Sequence, residues 1–205
     1  SNAVVTAAAA GGTGVGAYSL YNLTSGQENV AIGFESGYNT SDGRSNVYLG
    51  HQAGKGASGT ESFNVGIGKI ALTSITTGQF NVAIGANAGD AITTQSSTVL
   101  IGTNAGSAIN HNDADGSIII GKDAGQAVTE SIGSVLIGEL TGQHISTGDT
   151  NTLIGHKSSG NATYGVTTGG GNTALGAFTM GYTASAHITG NYNTAVGYQS
   201  LTNIQ

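Results

Sequence analysis

The chain has 205 residues, of which 38% are hydrophobic and only 8% charged, against roughly a quarter charged in an ordinary globular domain. Thirty-six glycines with no proline and no cysteine exclude a collagen repeat and a disulfide scaffold. Eleven acids against five bases, net −6 with no basic run, give a phosphate backbone no footprint, so nucleic acid is not expected as a partner. No stretch approaches the roughly 20 apolar residues of a membrane helix, so no membrane insertion is expected.

In chain order, residues 1–10 read as a flexible lead in which Ser1, Asn2 and Ala3 look like a cloning remnant. Residues 11–205 read as one repeat domain. Its first copy is the truncated Gly14-Val15-Gly16, and the full phrase Asn-(Val/Thr)-x-(Ile/Leu/Val)-Gly follows at 29–33, 46–50, 64–68 and 81–85. The relatives TVLIG, SIIIG and SVLIG occupy 98–102, 117–121 and 134–138, and the phrase returns at 151–155, 172–176 and 193–197. The closing glycines are 17 residues apart along most of the chain, with one step of 18, one of 19 and two final steps of 21. A small residue stands three positions after each, as at Ser36, Ala53, Ala88 and Thr141.

Seventeen residues is too short for a helical hairpin repeat or a propeller blade. It fits one turn of a parallel β-solenoid, so the expected fold is all-β with about 10–11 coils, regular to about residue 155 and longer over 156–197. Glycine would turn the corner after each strand, small residues would fill the interior behind it, and Ser/Thr/Gly stretches would make the opposite turn. Asn29, Asn46, Asn64 and Asn81 would stack as an amide ladder.

Strand alternation divides each phrase between two faces. One face carries pairs such as Val82 and Ile84, taken as the inside of the coil. The other carries the third position, Ala31, Tyr48, Gly66, Ala83, Leu100, Ile119, Leu136, Leu153, Ala174 and Ala195, uncharged throughout. A strand apolar on both faces is buried on both. Ala83, Leu100, Ile119, Leu136 and Leu153 are therefore expected at an axis between copies of the chain, in a closed cyclic oligomer.

Motifs of chemistry are weak against this background. GIGKIA at 66–71 and GSIIIGKD at 116–123 imitate nucleotide loops, but their glycines belong to the repeat columns and Asp123 stands where a P-loop needs a hydroxyl. Beside His111 in the 19-residue coil, Asp113 and Asp115 offer oxygen ligands without the spacing of a calcium loop. Glu28, Glu35, Asp42, Glu61 and Asp90 could in principle meet across coils as a hydrolytic pair, but the acids form no column and no cleft is evident. The expectation is no enzyme, no cofactor and no metal. His51 and His156 share a surface column with Lys69 and Lys122. The two 21-residue coils carry extra residues as lateral loops, where Tyr164, Tyr182, His187 and Tyr192 suit sugar stacking and are the candidate receptor-binding residues.

The phrases NVAIGANAG at 81–89 and NTAVGYQSL at 193–201 resemble the head repeats of trimeric autotransporter adhesins and similar repeats in bacteriophage tail fibres. The resemblance spans roughly residues 14–201. It implies a left-handed parallel β-roll and three chains around one axis. The implied role is a structural and receptor-binding fibre segment, extracellular, on a virion tail or a bacterial surface. Its implied partners are neighbouring fibre segments and a cell-surface glycan or outer-membrane receptor. Coils of 17–21 residues favour the phage relatives; a bacterial adhesin head and a tailspike-like polysaccharide-degrading enzyme are the alternatives.

Overall fold

A computed structural model describes residues 11–56, 59–110, 115–159, 166–180 and 189–202. Among the described residues eleven short strands run in chain order: β1 Thr13–Val15, β2 Val30–Ile32, β3 Val47–Leu49, β4 Val65–Ile67, β5 Val82–Ile84, β6 Val99–Ile101, β7 Ile118–Ile120, β8 Val135–Ile137, β9 Thr152–Ile154, β10 Thr173–Leu175 and β11 Thr194–Val196. They form one parallel sheet in which each strand pairs only with its sequence neighbours. Equivalent positions face each other, as Val82 with Val99, Ala83 with Leu100 and Ile84 with Ile101. The 17-residue period is therefore one turn of a parallel β-solenoid of about ten coils, with no helix among the described residues.

Corner chemistry explains the glycine column. Gly102 has φ +131°, and a Cβ there would lie 2.5 Å from the carbonyl oxygen of Gly121 in the next coil. No side chain fits between coils stacked that closely. Two residues past each corner the chain enters the left-handed region, at Asn87 and Asn104 with φ 56° and even at β-branched Ile70 with φ 64°. Asn tolerates that conformation, whereas Ile gives up roughly 1–2 kcal/mol. Hydrogen bonds to the preceding coil offset the strain: Ile70 N–H to His51 O, Asn87 N–H to Lys69 O and Asn104 N–H to Ala86 O, each 2.9 Å.

The faces are the reverse of those expected. Ala83, Leu100, Ile119, Leu136 and Leu153 are fully buried within the single chain and form its own core rather than an axis between copies. Leu136 packs over Gly125 and Gly142, and Leu100 over Gly89 and Gly106. The physical reason is volume. Tyr48 fills the third position where Gly54 and Gly66 leave room beside its ring, a compensation needed only inside a closed coil. Val82, Ile84 and their equivalents point outward.

Other expectations hold. Ser36, Ala53, Ala88, Ala105 and Thr141 are buried behind the corners. Asn46 Nδ2 donates to Asn29 Oδ1 at 3.0 Å and Asn64 Nδ2 to Asn46 Oδ1 at 3.1 Å. Where Asn gives way, Thr98 Oγ1 donates to Asn81 Oδ1 at 2.8 Å and Ser134 Oγ accepts from Asn151 N–H at 3.1 Å. An apolar column not anticipated from the sequence closes the far side of the core: Leu23, Ile75, Ile92, Ile109, Val128 and Ile145, each seven residues past a corner glycine.

Candidate functional site: an apolar face and a lateral pocket

The outward side of the sheet is made of two columns. The first runs through Val30, Val47, Val65, Val82, Val99, Ile118 and Val135 to Thr152, Thr173 and Thr194, and the second from Ile32 through Leu49, Ile67, Ile84, Ile101, Ile120, Ile137 and Ile154 to Leu175 and Val196. Neither contains a charge. Ile32 is 44% exposed, Ile84 37% and Val196 66%, so a single chain leaves an uncharged stripe in contact with solvent along nine strand spacings, about 43 Å at 4.8 Å each. Phe63 and Phe80 extend it, their rings stacked at 5.0 Å and both half exposed. A continuous apolar surface of this length marks an interaction site.

Beside the C-terminal end of that stripe lies an open pocket of about 300 Å³, lined by Thr147, Asp149, Thr150, Thr168, Gly170, Gly171, Asn191 and Tyr192. It exists because one coil carries three successive glycines, Gly169, Gly170 and Gly171, between two coils that carry side chains. Tyr192 rests against Gly171 and is 86% exposed. Asn191 Oδ1 accepts from Gly170 N–H at 2.7 Å, and Asp149 Oδ1 from Ile132 N–H at 2.9 Å. Of the four candidate receptor-binding residues, Tyr192 is in this pocket; Tyr164, Tyr182 and His187 lie outside the described residues. Asp149, Asn191 and Thr168 were not singled out from the sequence, although the glycine triplet that opens the pocket is visible there.

The acids are held separately. Glu28 accepts from Ser45 Oγ at 3.0 Å. Glu35 meets Lys55 Nζ at 2.8 Å and Gln52 Nε2 at 2.8 Å, and the Lys55 bond above all holds its carboxyl below the usual range. Asp42 is lowered by hydrogen bonds from Ser25 and Thr24. Burial raises Asp90. Asp115 Oδ1 accepts from Ser96 N–H at 2.6 Å, while His111 and Asp113 lie outside the described residues. Among those residues, no group of three His, Asp or Glu side chains is placed to hold a metal, and no helix is long and apolar enough to cross a membrane. His51 stacks on Phe34 at 5.5 Å, and His156 meets Phe178 edge-on at 5.1 Å.

Glu61 is the exception, fully buried three residues before Asn64. Thr40 Oγ1 donates to its Oε1 at 2.7 Å, while Oε2 and the hydroxyl of fully buried Tyr48 have no hydrogen-bond partner among the described residues. Burial first, and then the negative charge of Glu61, keep the Tyr48 phenol well above its ordinary value. Burial raises the Glu61 carboxyl from 4.5 to about 7, against the lowering pull of the Thr40 bond. Between those values the folded chain holds a proton that the unfolded chain has released. Stability therefore falls as pH rises through that window and levels off above it, where the buried charge costs about 3 kcal/mol. Glu61→Gln, which copies the buried Gln95 one other coil carries three residues before Thr98, should remove this slope and raise the melting temperature at pH 8. Thermal melts of both proteins from pH 5 to 8 measure it, and identical curves would contradict the buried carboxyl.

Comparison with protein-family models, curated proteins and solved structures finds no match to the chain.

Proposed function

We propose that this chain is a structural and adhesive segment of a homotrimeric fibre, extracellular, and part of a bacteriophage tail fibre. In this reading it is not an enzyme; it holds a receptor-binding surface at a fixed place along a stiff rod. The observation that carries the proposal is the uncharged outward stripe of Val, Ile, Leu and Thr along the whole sheet, which copies of the chain cover by packing side by side about a common axis. The number three rests on the resemblance of the repeats. A β-solenoid is compatible with a fibre or adhesin role, and the same surface would serve the head of a bacterial surface adhesin.

In this reading the axis runs along the outward columns, and substitutions there test it. Light scattering should give close to three times 20.1 kDa for the native chain. Ile84→Asp combined with Ile137→Asp sets carboxylates against each other at the axis, where each uncompensated charge costs several kcal/mol, and should yield folded monomers with an unchanged circular dichroism spectrum. A monodisperse native monomer, or a double variant that still assembles, would overturn the proposal.

A further inference from the structure

We infer that the lateral pocket around Tyr192 is a binding site for a neutral pyranose sugar. On the turn side one column of hydroxyls is consumed by carbonyls of the next coil: Thr24 donates to Ser41 O at 3.0 Å, Thr76 to Thr93 O at 3.0 Å, Thr129 to Ser146 O at 3.2 Å and Ser146 to Thr167 O at 3.3 Å. Asp42 is taken by Thr24 and Ser25 in the same way. Beside that column the pocket opens because Gly169, Gly170 and Gly171 supply no side chains to the stack. The hydroxyls of Thr147, Thr150, Thr168 and Tyr192, the Asn191 amide nitrogen and the second Asp149 oxygen are left without hydrogen bonds among the described residues. Asp149 and Asn191 are nevertheless held in place by their backbone bonds to Ile132 and Gly170.

The chemistry of the lining selects the ligand. Hydroxyls, an amide and a carboxylate match a ring bearing several hydroxyls, and the exposed Tyr192 ring supplies an apolar face for its C–H surface. No cation lines the pocket and Asp149 stands in its wall, which disfavours phosphates and acidic sugars. A lining with one aromatic ring and no aliphatic side chain disfavours an apolar peptide. The left-handed backbone of Tyr192 is not itself a sign of function, since Phe63, Phe80 and Thr150 adopt it at the same place in their coils.

This assignment gives the adhesive half of the proposed function a location, and its test separates the two. Saturation-transfer NMR on the full native chain would use glucose, galactose, mannose, N-acetylglucosamine and sialic acid as probes. Each is added at ~20 mM, above the roughly millimolar dissociation constant expected of one open monosaccharide site. At least one neutral sugar should receive saturation and sialic acid should not. Tyr192→Ala should weaken the signal about tenfold and Asp149→Asn severalfold, while Tyr198→Ala, exposed but outside the pocket, leaves it unchanged. Circular dichroism should show all three variants folded. Silence from every neutral sugar, or an undiminished signal in Tyr192→Ala, overturns the site. Sedimentation of the same samples reports assembly independently, so a trimer without sugar binding rejects the pocket alone, and a sugar-binding monomer rejects the fibre alone.

Discussion

Leu136→Asp is expected to break the coil in which it sits, not merely the contact between chains. Leu136 is fully buried and fills the space over Gly125 and Gly142, so the variant loses that packing and leaves a carboxylate with no partner. Together these cost on the order of 5 kcal/mol or more. Each coil is stabilised mainly by its neighbours, so stacks on either side can persist separately. Hydrogen exchange should show protection lost first in β7, β8 and β9. The neighbouring Ile137→Asp should retain that protection. Equal behaviour of the two variants would return Leu136 to the surface and reverse the faces again.

Gly102→Ala should be nearly as damaging by a different route. The added methyl meets the Gly121 carbonyl at 2.5 Å, and φ +131° is foreign to alanine. Backbone cannot yield there without opening the seam between β6 and β7, a loss of roughly 3 kcal/mol or more. Gly133→Ala provides the contrast, because its φ is +61° and a Cβ meets nothing within 4 Å. It should cost only about 1 kcal/mol, the left-handed strain alone. Denaturant melts of the two variants separate conformational strain from collision between coils, and similar losses in both would show that the coils are not packed this tightly.

The coil period, corner glycines, asparagine ladder and small interior column were legible because each is a one-residue rule repeated every 17 positions. Which strand face closes the coil was not. In a three-residue strand flanked on both sides by aliphatics, alternation separates Leu136 from Val135 and Ile137 without saying which set faces inward. The missed clues were the exchange of volume between Tyr48, Gly54 and Gly66, and the isoleucines seven residues past the corners, which need an apolar partner across the coil. The pocket was legible only as the Gly169, Gly170 and Gly171 triplet. Its walls come from residues about 20 positions away on either side, joined only when the coils stack. Glu61 read as one surface acid among several, and only its neighbours Thr40 and Tyr48 show it to be interior.

In-register pairing of every strand with the next turns residue count into distance. Each coil advances the chain by one strand spacing of about 4.8 Å, although its 17 residues pulled straight would reach more than ten times as far. Whatever is joined after β11 is thereby set about 48 Å from whatever is joined before β1. Removing residues 69–85, one whole period, would bring the two nearer by a single step while every remaining column stays aligned. A chain built this way is a ruler whose graduations are its glycine corners, and insertion or loss of whole repeats is the means by which its length could be reset without a new fold.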